Sequence, residues 1–377
     1  MKLSISRDFA NWSISVPKKR TCIRLRRPVN FYSSESLRAL TSIGFTRSSL
    51  VQAFGSVKHT ASVGFIHAET IDIFVYYWAN GDTLCFPVNP KGEVYIGGSE
   101  AFWWSIFPFL HPTDNSAFFC NLPKISLPNT DRTFLLLGAQ AHFGHFVGDR
   151  LLPVMDIVSS CDSSHPNLPP AYILGPSFPF ENISLLRKVW PKSPPFSFAL
   201  LPGTSAIYNL ADVLVPSFEF LPELPLLRSG TPELSKSLYQ FRKVAFLGSS
   251  LKSRLDNYSE LLAALREADY FIVEEPEVLD LDYKSTLLAN ADTALFGTGS
   301  VAWNVIHCSQ STRVILLFPA ELLSCVEPKS TCMLHQFYLP MLSRRTQIIE
   351  LATLSTNPVN AVRSIHHISK RELGGIC

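Results

Sequence analysis

Short apolar runs alternate with amphipathic stretches from residue 132 onward, and this alternation predicts strands that are followed by helices. The runs 133–137 and 244–247 are continuously apolar, which is typical of parallel strands that are buried on both faces. The same pattern predicts further strands at 171–174, 198–201, 270–273, 293–296, 314–318 and 347–351. Helices are predicted between them over 141–159, 183–190, 258–268, 282–289, 300–307 and 360–370. Strands that alternate with helices in this way predict an α/β protein.

The first 125 residues follow a different pattern of short strands and loops. Residues 73–78 are rich in β-branched and aromatic side chains, and Asn80-Gly81 then supplies a tight turn. Residues 216–232 are rich in Pro and Gly, which is typical of a connection between domains. We therefore expect a β-rich segment 1–125 within an N-terminal domain, α/β regions at 126–215 and 216–355, and a closing helix at 356–377.

Composition narrows the class of protein. Of the 377 residues, 46% are hydrophobic and 17% charged, which excludes global disorder. The net charge of +2 argues against nucleic acid as a partner. The eight cysteines form no C-x-x-C pair, and no apolar run approaches the ~20 residues that span a bilayer, so we expect a cytoplasmic protein.

Basic residues cluster near the N-terminus, at Lys18, Lys19, Arg20, Arg24, Arg26 and Arg27. One interpretation is a solvated strand edge or arm. The alternative is a patch that contacts an anionic membrane, which would make the protein peripheral at the inner face of that membrane.

The predicted helix 141–159 carries a polar stripe. At about 100° per residue, His145, Asp149 and Asp156 fall within roughly 60° of His142. His145 and Asp149 are four residues apart, so their side chains can meet. A carboxylate beside an imidazole forms an acid–base unit, whereas the alternative is a solvent-facing helix side with a chance pair.

Two turns of the later α/β region suit an anionic ligand. Gly297-Thr298-Gly299-Ser300 joins a predicted strand to a predicted helix, where backbone N–H groups and hydroxyls attract phosphate and Ser300 can cap the helix. The loop after strand 244–247 carries Lys252 and Arg254, whose positive charges suit a diphosphate. A structural turn and a solvated loop are the alternatives.

These segments, in this order, resemble glycosyltransferase family 61. The first resembles the family's N-x-G-H-F helix through His142-Phe143-Gly144-His145-Phe146, with Asp149 in the acidic place. The second matches an Arg–x–x–Asn–x–x–Glu–Leu stretch at Arg254, Asn257, Glu260 and Leu261. The third matches Gly299, Ser300 and Asn304 of the Gly-rich turn, although Thr298 stands where the family usually has His.

The resemblance implies two Rossmann-like domains that face a cleft, a GT-B-like arrangement with 126–215 on the acceptor side and 216–355 binding the donor. It implies an inverting hexosyl- or pentosyltransferase that moves sugar from a nucleotide-sugar donor, UDP-linked in our expectation, to a glycan or glycoconjugate acceptor in surface polysaccharide synthesis. Asp149 and His145 would be catalytic, and His142 would lie on the acceptor side. The donor would be bound by Lys252, Arg254, Asn257, Thr298, Gly299, Ser300 and Asn304.

No metal ligand set is predicted and no cofactor is required beyond the nucleotide-sugar substrate, while dependence on a divalent metal is left open. A second hypothesis, from a different class of function, is a non-catalytic protein that keeps this fold and binds a nucleotide or a glycan. Thr298, which replaces the family's usual His, favours this hypothesis. A nucleotide-dependent oxidoreductase is a third hypothesis, although the third glycine of the dinucleotide motif is absent.

Overall fold

A computed structural model describes the chain in two compact units, one of Met1–Val29 and Thr60–Leu221 and the other of Asn30–His59 and Pro222–Cys377. The structure describes residues 2–6, 8–25, 29–30, 58–59, 62–77, 83–96, 117–119, 121–126, 132–137, 146–151, 154, 171–174, 180–189, 205–217, 241–252, 255, 258–297, 299–309, 311–319 and 346–351. Its mixed helices and sheets confirm the predicted α/β class.

Unit 1 contains a ten-stranded mixed sheet in the order β11-β10-β12-β5-β6-β7-β1-β8, with β2 beside β5 and β9 beside β12. Its strands are β1 (Lys2–Ser6), β2 (Lys18–Leu25), β5 (Ser62–Tyr77), β6 (Thr83–Val88), β7 (Glu93–Tyr95), β8 (Ala117–Phe119), β9 (Lys124–Ser126), β10 (Thr133–Leu136), β11 (Ala171–Leu174) and β12 (Ala206–Pro216). Helices α1 (Phe9–Ser13) and α2 (Phe180–Val189) and a π-helix (Phe146–Leu151) belong to this unit. The short strands β3 (Val29–Asn30) and β4 (Lys58–His59) form a separate pair.

Two long strands organise the first sheet. Strand β12 is antiparallel to β5 along almost its whole length, and it is parallel to β9 in its first half and to β10 in its second. Strand β5 likewise pairs with β2 in its first half and with β6 in its second. Apolar residues of β5 alternate between two buried clusters, with Ile73 and Val75 in one and Phe74 in the other, so both faces of the sheet are covered.

Helix α1 packs against the first of these clusters. Phe9 and Trp12 are buried, and their rings lie 5.0 and 5.4 Å from the ring of Tyr95. The indole N–H of Trp12 donates to the carbonyl of Glu93 at 2.8 Å. Asp8 caps the helix by accepting from the backbone N–H of Asn11. The start of the chain is therefore anchored to the sheet.

Unit 2 contains a five-stranded parallel sheet in the order β14-β13-β15-β16-β17. Its strands are β13 (Lys243–Phe246), β14 (Phe271–Val273), β15 (Thr293–Phe296), β16 (Arg313–Pro319) and β17 (Thr346–Leu351). Its helices are α3 (Ser249–Lys252), α4 (Tyr258–Glu267) and α5 (Leu281–Asn290), with 3₁₀-helices at Pro276–Val278 and Ser300–His307. Residues of α3 and α4 pack with β13, β15 and β16 in one apolar core, so these two helices cover one face of the sheet.

The second sheet has the strand order 2-1-3-4-5 when its strands are numbered along the chain. The crossover from β13 to β14 runs to one side, and the crossover from β14 to β15 runs back past β13. Because parallel crossovers are right-handed, α4 and α5 lie on opposite faces of the sheet.

Candidate ligand site at the carboxyl edge of the second sheet

The carboxyl ends of β13 and β15 lie side by side where the strand order reverses. Helices that leave such a point on opposite faces open a crevice between the two strand ends, and ligands of open parallel sheets bind there. The topology of unit 2 therefore marks the β13–β15 edge as its candidate ligand site.

Two glycine turns lie in contact at this edge. The N–H of Gly297 donates to the carbonyl of Phe246 at 2.8 Å. A Cβ at Gly297 would lie 2.2 Å from the carbonyl oxygen of Leu247, so no larger residue fits without a backbone shift. Gly248 has a φ of +75°, and a Cβ there would lie 3.3 Å from the side chain of Val301. The structure thus brings together the two turns that the sequence singled out separately.

Gly299 closes the second turn with φ 101° and ψ −156°, a conformation that is essentially restricted to glycine. The sequence predicted a helix over 300–307 with Ser300 as its cap; the helix is present with these bounds, but the cap is wrong. Because Gly299 ends the turn, Ser300 is already the first residue of the helix; no side chain caps it, and residues Ser300–His307 form a 3₁₀-helix.

Asn304 is 3% exposed within this 3₁₀-helix. Its side-chain N–H donates to the carbonyl of Val301 at 2.9 Å, which braces the first turn of the helix. Its Oδ1 has no hydrogen-bond partner in the part of the chain that the structure describes. A buried oxygen without a partner costs about 1–3 kcal/mol, which the packing around the 3₁₀-helix has to offset.

A tyrosine–glutamate pair that sequence analysis missed lies at the end of the neighbouring strand. Glu274 directly follows β14, and its Oε2 accepts from the hydroxyl of Tyr258 at 3.1 Å. Burial raises the pKa of Tyr258, and the carboxylates of Glu274 and Glu275 raise it further. The tyrosine therefore stays protonated and donates to Glu274. The available sequence signal was an acidic residue directly after a buried strand.

Lys252 is exposed and ends α3, the short helix that starts directly after Gly248. It therefore belongs to the same edge as the glycine turns. Arg254, Asn257 and Thr298, which the sequence also assigned to the donor, lie outside the described residues.

The predicted acid–base residues belong to unit 1. Asp149 lies in the π-helix Phe146–Leu151, and His142 and His145 lie outside the described residues. Val147, Leu151 and Val154 of the same predicted helix are fully buried. The turn around Asp149 is wider than the α-helical turn assumed from the sequence, and π-helical turns are frequent at functional sites.

Asp280 and Asp282 have the spacing of a metal-binding Asp-x-Asp pair, and both lie at the start of α5. The carboxylate of Asp280 accepts from the backbone N–H groups of Asp282 and Tyr283, so it caps this helix. Among the described residues there is no group of three or more His, Cys, Asp and Glu side chains arranged to hold a metal ion. Within those same ranges, no helix combines the length and apolar character needed to cross a membrane.

Comparison with known protein families finds no family that matches this chain, and comparison with curated proteins finds none that is similar. The resemblance to glycosyltransferase family 61 therefore rests on the residues of the three motifs themselves.

Proposed function

We propose that the protein is an inverting glycosyltransferase with a GT-B-like arrangement of two Rossmann-like domains, and that unit 2 binds a nucleotide-sugar donor. The observation that carries the proposal is the contact between two glycine turns at the β13–β15 edge, where a parallel sheet of this order takes its ligand. The motif resemblance adds the reaction class, and the UDP-linked donor and the polysaccharide acceptor rest on it.

The glycine turns suit a diphosphate because they let its oxygens approach the backbone closely. Lys252 adds a positive charge on the same edge, and Arg254 follows it in the chain. Glu274 suits the ribose, since a carboxylate at the end of the strand next to the glycine-turn strand can accept from sugar hydroxyls. The diphosphate and the ribose of a nucleoside diphosphate thus each have a candidate partner in unit 2.

In the proposed reaction the acceptor hydroxyl gives its proton to Asp149, or to His145 oriented by Asp149. The acceptor oxygen attacks the anomeric carbon from the face opposite the diphosphate, the bond to the diphosphate oxygen breaks, and the configuration inverts. Lys252 and Arg254 neutralise the charge that develops on the leaving nucleoside diphosphate. No metal is assigned to this reaction, and sugar transfer is assayed both with Mg²⁺ and with a chelator.

Thermal unfolding of the full chain with UDP, GDP, CMP, dTDP or NAD tests the proposal. A nucleotide at a hundredfold excess over its Kd stabilises the folded protein by about 2.7 kcal/mol. We expect UDP to raise the unfolding temperature and Lys252→Ala to weaken UDP binding. Arg266→Ala is the matched control, because Arg266 is an exposed cation at the far end of α4 and its loss leaves the edge intact.

Incubation of UDP-sugars with and without a glycan acceptor separates the outcomes. Release of UDP with an inverted product supports the transferase. UDP binding with neither transfer nor donor hydrolysis favours the non-catalytic binding protein, and stabilisation by NAD alone contradicts both. We further propose a cytoplasmic location, with the basic N-terminal residues touching the inner face of the membrane.

A further inference from the structure

Four strands of unit 1 meet at the carboxylate of Asp212. Its Oδ1 accepts from the ammonium group of Lys19 and lies 2.8 Å from Nε2 of His67, and its Oδ2 accepts from the hydroxyl of Thr133. These residues come from β2, β5, β10 and β12. We call Lys19, His67, Thr133 and Asp212 the Asp212 cluster.

The backbone departs from regular strand geometry at two members of this cluster. Asp212 lies in the middle of β12 with a φ of +61°, which is rare for a residue other than glycine. Strand β2 carries an irregularity between Lys18 and Arg20, which places Lys19 as an extra residue opposite His67. Bulges re-aim side chains, and strained backbone is concentrated at functional sites. The two departures lie at the two charged residues whose side chains meet, Lys19 and Asp212.

A second lysine–aspartate pair in the same sheet shows that an ion pair alone does not need this geometry. Lys124 donates to Asp72 at 2.8 Å, and Asp72 also accepts from Asn209 at 2.7 Å. The two pairs match in exposure, with the lysines at 53% and 57% and both aspartates at 20%. Asp72 keeps an ordinary strand conformation within its ladder. The added features of the Asp212 cluster are the histidine and the distorted backbone.

The imidazole of His67 has one nitrogen engaged and one available. Nε2 faces Asp212, while Nδ1 has no hydrogen-bond partner among the described residues, and the side chain is 16% exposed. A carboxylate that accepts the Nε2 proton fixes the tautomer whose Nδ1 accepts protons. Burial alone would raise the pKa of Asp212, but Lys19, Thr133 and His67 together hold it below its usual range, so the carboxylate stays ionised.

Charged groups of both signs surround this ring. Arg20 lies across from His67 on β2, and Glu69 lies two residues along β5 on the same face. Lys19 shares Oδ1 with the ring, so its ammonium group lies on the Nε2 side of the imidazole, where it helps to keep Asp212 ionised.

We propose that the Asp212 cluster is a second, acid–base site, in which His67 accepts a proton at Nδ1 from a hydroxyl-bearing ligand, water included, and Asp212 is the positioning residue. Its residues belong to unit 1, whereas the proposed donor site belongs to unit 2. Lys19 helps to keep the positioning carboxylate ionised.

Hydrolysis of 4-nitrophenyl acetate by the full chain tests this proposal with water as the ligand. Water adds to the ester carbonyl while its proton passes to Nδ1; the 4-nitrophenolate then leaves, and the proton returns to it or to solvent. General-base catalysis contributes about 10²–10⁴-fold, so we expect His67→Gln to lower the protein-dependent rate at least tenfold. Glutamine keeps an N–H that can donate to Asp212 but removes the proton acceptor.

Asp212→Asn tests the positioning role by a pH profile. Asparagine tolerates the left-handed backbone, and loss of the carboxylate that orients the ring changes the pH dependence of the rate, which a purely structural role would leave unchanged. Lys124→Ala, the matched control, leaves rate and profile unchanged. A folded His67→Gln protein with the native rate overturns the proposal.

A measurement on the native chain covers the case in which a variant does not fold. Diethyl pyrocarbonate carbethoxylates an imidazole nitrogen that is unprotonated and accessible, and peptide mass spectrometry locates the product. We expect modification of His67, and its protection in the folded chain contradicts an available Nδ1.

Discussion

Replacement of Gly297 by alanine tests the packing on which the candidate site depends. The new Cβ would lie 2.2 Å from the carbonyl oxygen of Leu247 and 3.1 Å from its carbonyl carbon. Both atoms belong to the backbone, so relief requires β13 and β15 to separate at their carboxyl ends. Overpacking of this kind costs typically 1–3 kcal/mol, and the backbone contact places Gly297→Ala at about 3 kcal/mol.

Hydrogen exchange followed by mass spectrometry suits this variant, because two units need not unfold in one step. A loss of about 3 kcal/mol accelerates exchange through opening of unit 2 by roughly 100-fold in peptides that cover β13 and β15. Peptides of β5 and β12 in unit 1 serve as the internal control and keep their native rates. Gly248→Ala, with φ +75° and a 3.3 Å side-chain contact, should cost less, about 1–2 kcal/mol. Native exchange of β13 and β15 in Gly297→Ala would refute the close approach of the two turns.

Two further predictions concern pH. The folded protein holds the pKa of Tyr258 above its ordinary value of 10.0. This residue therefore contributes stability that is present below pH 10 and is lost as pH rises beyond it. Tyr258→Phe should flatten the alkaline loss of stability, measured by urea unfolding of unit 2. The folded pKa of Asp212 lies below 3.8, so its contribution to the free energy of unfolding is present above that pH and is lost as pH falls through the folded value. Asp212→Asn should flatten the loss of stability of unit 1 in acid. An unchanged acid profile would contradict the ion-pair geometry.

The strands of unit 2 were predictable because each is a short apolar run bounded by polar or turn residues. The prediction for 293–296 matches β15 residue for residue, and that for 244–247 differs from β13 by one residue at each end. Such runs carry a strong signal because a parallel sheet is covered on both faces. Two residues of the basic N-terminal cluster, Lys18 and Lys19, lie in β2, which pairs with β5 in the part of the chain that the structure describes.

Strand β12 was not predicted because its sequence is neither a continuous apolar run nor a regular alternation of apolar and polar residues. Asn209 and Asp212 interrupt its apolar positions, and the left-handed Asp212 breaks the period of two on which strand prediction relies. The 3₁₀ geometry of Ser300–His307 was missed because its apolar spacing also fits an α-helix.

The candidate site was predictable only in part. The glycine turns carry a local signal, but their contact depends on β13 and β15 being neighbours, which no local pattern states. The Asp212 cluster joins residues up to 193 positions apart in sequence, at Lys19 and Asp212, and depends on two backbone distortions. Contacts of this kind follow from the topology of the sheet and cannot be found by spacing.

Hydrogen exchange of the full chain with and without saturating UDP tests most directly whether the β13–β15 edge is the donor site. We expect protection from exchange to be concentrated in peptides that cover 246–252 and 296–302, the two glycine turns of the β13–β15 edge. Protection confined to other segments, or none with any nucleotide, would contradict the assignment of this edge as the donor site.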